Sequence, residues 1–122
     1  VKTLFLKNQS KTTFYLFITT GGKPFRAKTF NKVLDVSRVS FAPAELMEQM
    51  LETKIGAATI FSALIDTNNK IQVVIDKDVY DREWYACSDG TTTGFMKIKT
   101  KDIIEKFLKY TKHHPRIIDV NV

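Results

Sequence analysis

"TLFLKNQSKTTFYLFITT", residues 3–20, is the stretch on which the fold turns. Two runs rich in aromatic and β-branched residues, "TLFLK" (3–7) and "TTFYLFITT" (12–20), are joined by the polar "NQS", which predicts a β-hairpin. Downstream, "GGKP" (21–24) breaks the second strand, and "AKTFNKVLDV" (27–36) sets Phe30, Val33 and Leu34 at helical spacing. "SRVSF" (37–41) reads as a brief strand. "APAELMEQMLET" (42–53) is the clearest helix of the first half. Pro43 suits its first turn, Glu45 and Glu48 sit near the positive end of its dipole, and Leu46, Met47, Met50 and Leu51 form one buried face. A turn, "KIGAAT" (54–59), leads to an expected strand "IFSALID" (60–66), which "TNNK" (67–70) closes as a hairpin onto "IQVVID" (71–76). "WYACS" (84–88) and "GFMKIKT" (94–100) read as strands. "TKDIIEKFLKYTKH" (100–113) reads as a helix capped by Thr100, with Ile103, Ile104, Phe107 and Leu108 as its buried stripe. "RIIDV" (116–120) supplies a last strand. The sum is a single α+β domain over residues 1–122, with a mostly antiparallel sheet and a few flanking helices.

Bulk composition narrows the function. The 122 residues make one domain, and 43% hydrophobic residues, including nine Phe, four Tyr and one Trp, can fill its core. A charged fraction of 26% is that of an ordinary globular chain, and no apolar run is long enough to cross a bilayer. Cys87 is the only cysteine, which excludes an intrachain disulfide, a zinc ribbon and a CxxC redox pair, and fits a reducing, cytoplasmic compartment. His113 and His114 are adjacent and seldom point at one ion, so no metal and no other cofactor is expected. The net charge of +6, from 19 Lys+Arg against 13 Asp+Glu, is enough to attract a polyanion such as RNA, although the lysines form no long run.

Four features carry candidate chemistry. "CSDGTTTGFMKI" (87–98) brackets three threonines between Gly90 and Gly94. It lacks the GK[ST] ending of a phosphate-binding P-loop, and no serine or cysteine sits in a nucleophile-elbow pattern. Its unobstructed backbone amides suit a cradle for a carbonyl or a ribose–phosphate end; the same residues also suit a plain turn between strands. "IGAATIFSA" (55–63) is a run of small residues that fits either a close-approaching ligand or tight core packing. Lys2 opens an apolar strand, where its ammonium faces either a cleft or solvent. The acidic pairs Asp76/Asp78 and Asp81/Glu83 show no defined separation across a cleft and read as a solvated connection.

Taken in order, "KTLFLKNQSKTTFYLF", "SRVSFAPAELMEQML", "IGAATIFSALIDTNNKIQVVIDKDV", "GTTTGFMKI" and "HHPRIIDV" resemble the prolyl-tRNA editing domains of the YbaK/EbsC type, closest to their ProX (PrdX) branch. The resemblance spans nearly the whole chain. It implies a curved, mostly antiparallel sheet around a small pocket. It also implies hydrolysis in trans of the ester of a mischarged tRNA, most often alanyl-tRNA(Pro), with the tRNA acceptor end and prolyl-tRNA synthetase as partners, no membrane and no metal. Lys2 falls on the family's functional lysine, with Thr3 beside it in place of the usual asparagine. The family's amino-acid pocket loop falls on Gly56 to Leu64, so that Gly56, Ala57, Thr59, Phe61 and Ser62 would limit the side chain admitted. Its ester-holding loop falls on Ser88 to Phe95. There Ser88 and Asp89 replace a His-Pro pair, and the backbone amides around Gly90, Thr91 and Thr92 would stabilise the oxyanion formed when water attacks the aminoacyl carbonyl. The family's C-terminal histidine falls on His113. A strand and helix that precede the lysine in the family have no counterpart in this sequence. The replaced His-Pro pair leaves an alternative: a degenerate editing domain that binds tRNA or a synthetase without hydrolysis.

Overall fold

The first hairpin forms as its sequence predicts. In the computed structural model, which describes residues 1–52, 58–88 and 94–121, β1 (Lys2–Lys7) pairs antiparallel with β2 (Phe14–Thr19), with Lys2 opposite Thr19 and Lys7 opposite Phe14. The turn is closed locally. Asn8 Oδ1 accepts the backbone N–H groups of Thr12 at 2.8 Å and Thr13 at 3.1 Å. Helix α1 (Ala27–Leu34) follows and ends on Asp35 in the left-handed region (φ 57°), where the Asp35 N–H bonds to Lys32 and the Val36 N–H to Asn31. The short β3 (Ser40–Phe41) pairs with the end of β1, and α2 (Ala44–Leu51) starts directly after Pro43.

Residues 60–66 depart from their expected conformation. They are not a strand: Ile60–Leu64 is a 3₁₀ helix, and the "TNNK" segment closes no hairpin. The cause is local. Thr59 Oγ1 accepts the Phe61 N–H at 3.1 Å, and Ser62 Oγ accepts the Thr59 N–H at 3.2 Å, a reciprocal cap that starts a helical turn. The chain then enters β4 (Ile71–Asp76), which pairs parallel with β2, not antiparallel with its predecessor. A one-turn helix α3 (Lys77–Tyr80) precedes a separate ribbon of β5 (Trp84–Ser88) and β6 (Phe95–Lys99). The last helix runs as α4 (Thr100–Asp102), a π-helical segment Ile103–Phe107 and α5 (Leu108–Tyr110); β7 (Arg116–Ile118) then joins β4 in parallel. Thr100 is the first residue of α4, not its cap, and among the described residues its buried hydroxyl has no partner.

The main sheet therefore has the order β3-β1-β2-β4-β7, and the ribbon β5-β6 stands apart from it. Antiparallel pairing holds for β1–β2, β1–β3 and β5–β6, parallel pairing for β2–β4 and β4–β7. Strand alternation gives the sheet two apolar faces. Phe5, Leu16, Ile18, Val73 and Ile75 pack on one side with Ile60, Ala63, Tyr85, Ile103 and Leu108. Leu6, Tyr15, Phe17 and Val74 pack on the other with Phe30 and Leu34 of α1. A sheet buried on both faces reads as nearly continuous apolar sequence, which is what "FYLFI" and "IQVVI" are.

Candidate active site

The open end of β1 gathers the pieces. The backbone nitrogen of Val1 lies 3.2 Å from the carbonyl oxygen of Ala86, so the first residues of β1 are held against β5. The far end of β5, Ser88, is register partner to Phe95 at the start of β6. Lys2 and Thr3 thus begin beside the strand that carries the chain into residues 89–93. Gly90, Thr91 and Thr92 lie outside the described residues, as do Gly56 and Ala57.

Lys2 and Thr3 fall on different faces of the sheet. Alternation groups Thr3 with Val1 and Phe5, on the side of the 3₁₀ helix, and Lys2 with Leu4 and Leu6, on the side of α1. Opposite Lys2 sits Thr19, which opens a polar cluster the sequence did not reveal. The Thr19 hydroxyl donates to Asp76 Oδ2 at 2.7 Å; Lys23 Nζ donates to the same oxygen at 2.7 Å and to Asp78 Oδ2 at 2.8 Å. Asp76 is 0% exposed, so its reading as part of a solvated connection is corrected, whereas Asp78 is exposed. Burial pulls the Lys23 ammonium pKa down, but the hydrogen bonds and charges of Asp76 and Asp78 outweigh it and hold the pKa above the ordinary lysine value. Hydrogen bonds from Lys23 and Asn121 hold the Asp78 carboxyl below its ordinary value. Beside the cluster, Phe17, Phe25, Phe30, Arg26 and Thr29 help line a cavity of about 200 Å³.

Beneath the opposite face, the 3₁₀ helix supplies Thr59, Phe61 and Ser62. The hydroxyls of Thr59 and Ser62 both accept backbone N–H groups of their own turn, and Phe61 packs edge-on against Phe107 at 4.9 Å between ring centroids. His113 is buried farther along the chain: its Nε2 lies 2.9 Å from Asp66 Oδ2 and its Nδ1 2.8 Å from Thr111 Oγ1. Asp66 also accepts the N–H groups of Lys70 at 2.9 Å and Ile71 at 2.8 Å. The Asp66–His113 pair thereby ties the C-terminal end of the last helix to the start of β4. Forty-seven residues separate the two partners in sequence, so no local pattern announced the pair. Among the described residues no three His, Cys, Asp or Glu side chains gather as metal ligands, and no helix is long and apolar enough to cross a membrane.

Comparison with known proteins bears on the family and the fold. The aminoacyl-tRNA editing domain family matches residues 1–106. The chain belongs to that family. Among curated relatives, the editing domain is 26% identical over 109 residues to the prolyl-tRNA editing protein ProX of Acetoanaerobium sticklandii, covering 89% of this chain and 66% of the relative. It is 24% identical over 119 residues to prolyl-tRNA synthetase associated domain-containing protein 1 of Danio rerio, covering 96% of this chain and 64% of the relative. The chain thus spans about two thirds of the length of these relatives. Two solved structures share the fold. One is the hypothetical protein APE2540 (TM-score 0.72, 15% identity, 97% of this chain and 72% of that one). The other is a candidate trans-editing enzyme for prolyl tRNA synthetase (TM-score 0.70, 16% identity, 98% of this chain and 69% of that one). The expected editing-domain family and α+β fold are borne out.

Proposed function

We propose that this chain, as one domain over residues 1–122, is a trans-acting deacylase that hydrolyses the ester of a mischarged tRNA, with alanyl-tRNA(Pro) as the first candidate substrate. The observation that carries the reading is the closure of the Lys2 end of β1 onto β5, the strand leading into the threonine run, in a chain of the editing family. An aminoacyl ester is already activated, so the protein's work is to position it and stabilise the oxyanion that water attack creates. Backbone amides around Gly90, Thr91 and Thr92 are the proposed oxyanion donors. The Lys2 ammonium, at the strand end on the α1 side of the sheet, is the proposed partner of the terminal adenosine's phosphate; Thr3, on the side of the 3₁₀ helix, and Ser88 are the proposed contacts of the aminoacyl end. Gly56, Ala57 and the 3₁₀ helix from Thr59 through Phe61 and Ser62 wall the amino-acid pocket. The reciprocal Thr59–Ser62 cap fixes the first turn of the 3₁₀ helix, and a fixed wall is what a size filter for small side chains needs. His113, proposed from the family resemblance as a substrate contact, has both ring nitrogens engaged by Asp66 and Thr111. The free ribose hydroxyl of the tRNA assists the attacking water. The partners are the tRNA acceptor end and prolyl-tRNA synthetase, and the compartment is the cytoplasm.

The test is deacylation of labelled Ala-, Ser-, Cys- and Pro-tRNA by catalytic amounts of protein. Turnover of one mischarged species above its spontaneous hydrolysis is expected. Stoichiometric tRNA binding with no turnover of any species would leave a binding domain in place of an enzyme.

A further inference from the structure

The β5–β6 ribbon has one face that the core does not use. Its inner face carries Tyr85, fully buried, with its register partner Ile98 and with Met96, both packed on the core. The same register sets Trp84 opposite Lys99 and Ala86 opposite Lys97 on the outer face, which Phe95 continues. There Phe95 is 85% exposed and Trp84 42% exposed. Lys97 Nζ lies 4.8 Å, and Lys99 Nζ 5.8 Å, from the centroid of the Trp84 ring. Four residue steps make this a ladder about 13 Å long, with Trp84 and Lys99 side by side at one end, Phe95 at the other and Lys97 beside the small Ala86 between them. Lys99 also lines a cavity of about 440 Å³ together with Tyr80, Arg82, Lys101, Glu83 and Glu105. In sequence, Phe95 lies two residues after the run 89–93.

We infer that this outer face is the track on which the protein takes up the single-stranded 3′ end of its RNA, bases stacking on Phe95 and Trp84 while phosphates meet Lys97 and Lys99. The inference rests on the proposed function for the identity of the RNA, and adds to it the path by which the strand reaches the ester. Exposed aromatic rings interleaved with cations are what sequence-tolerant single-strand binding uses: every base has a π face and every nucleotide a phosphate. An apolar protein partner fits the same face poorly, because covering both rings would strip water from two ammonium groups without supplying anions. The chain's net charge of +6 steers a polyanion toward it.

Trp84 is the only tryptophan, so fluorescence excited selectively at tryptophan, beyond tyrosine absorption, reports on this face alone. The experiment titrates the full chain with a single-stranded oligoribonucleotide ending in CCA, with deacylated tRNA and with anionic phosphatidylserine vesicles, each over a series of salt concentrations. The RNA probes are expected to quench Trp84 saturably. Phe95→Ala should weaken binding by about five- to a hundredfold. Lys97→Gln and Lys99→Gln should each lower the salt slope by about 0.7. Lys28→Gln with Lys32→Gln, exposed on α1, should leave the quench in place. All these side chains are exposed, and circular dichroism confirms that the variants fold. RNA binding without quenching and indifferent to Phe95, or a Trp84 response to vesicles but not to RNA, overturns the inference. Deacylation by the same variants separates the two claims. Wild-type turnover with KM unmoved in Phe95→Ala sinks the track and leaves the deacylase. Quenching weakened by Phe95→Ala in a protein without turnover leaves the track and sinks the deacylase.

Discussion

The five-stranded sheet and the two-stranded ribbon divide the work of this molecule. The sheet is covered on both sides, and the acids buried in it and just ahead of β4 have partners: Asp76 with Thr19 and Lys23, Asp66 with His113 and two backbone N–H groups. The ribbon buries only Tyr85 and its neighbours inward, and leaves Trp84, Phe95, Lys97 and Lys99 in solvent. A pair of strands offers one face to the core and has one to spare. Stability should therefore respond to changes in the sheet, and recognition to changes in the ribbon.

The sharpest way to break that division is to truncate the sheet's core. Leu16→Ala, at a side chain with no exposure, should cost about 2–5 kcal/mol in urea unfolding. A cost under about 1 kcal/mol would mean that the sheet is not the stabilising unit. Next comes Asp66→Ala, which orphans the buried His113 ring and two N–H groups and should cost about 3 kcal/mol. Smaller again is Lys23→Met, about 1–3 kcal/mol, because Asp76 keeps its hydrogen bonds from Thr19 and the Asp78 N–H. This variant also has a pH signature. The Lys23 pKa is raised on folding, so its contribution is fully present below the ordinary lysine pKa of 10.5 and is lost as pH rises through the raised value. The Asp78 pKa is lowered, so its contribution is present above its ordinary 3.8 and is lost as pH falls through the depressed value. Stability of the wild type should decline at both ends, and Lys23→Met should flatten both declines. The smallest effect belongs to the ribbon. Phe95→Ala should shift the unfolding free energy by no more than about 0.5 kcal/mol while weakening RNA binding.

Much of the sheet was legible because its signals are local. The 3–20 hairpin, α1, α2 and both ribbon strands follow from apolar spacing and breakers within a dozen residues of each other. Residues 60–66 were misread because a short apolar run does not distinguish a strand from a buried helical turn; the signal present was Thr59 with Ser62 three residues on. The parallel pairing of β2 with β4 was invisible, since about fifty residues intervene and no short-range rule selects a partner across such a gap. Asp76 carried one overlooked clue: as the last residue of "IQVVID" it shares a face with Val74, which lies in the α1-side core, but its partners Lys23 and Thr19 lie 53 and 57 residues away. The candidate site came chiefly from the order of five sequence blocks. Chemistry read from single residues left Lys2 and the threonine run undecided, because strand ends and turns use the same residue types.

The most direct test of the deacylase account is multiple-turnover hydrolysis of alanyl-tRNA(Pro) by the wild type and by Lys2→Ala, with equal folding verified by thermal melting. The account predicts wild-type turnover, with kcat/KM falling about a hundredfold or more in the variant. Equal turnover in the two proteins would contradict the role given to the Lys2 end of β1, and no turnover in either would contradict the enzyme itself.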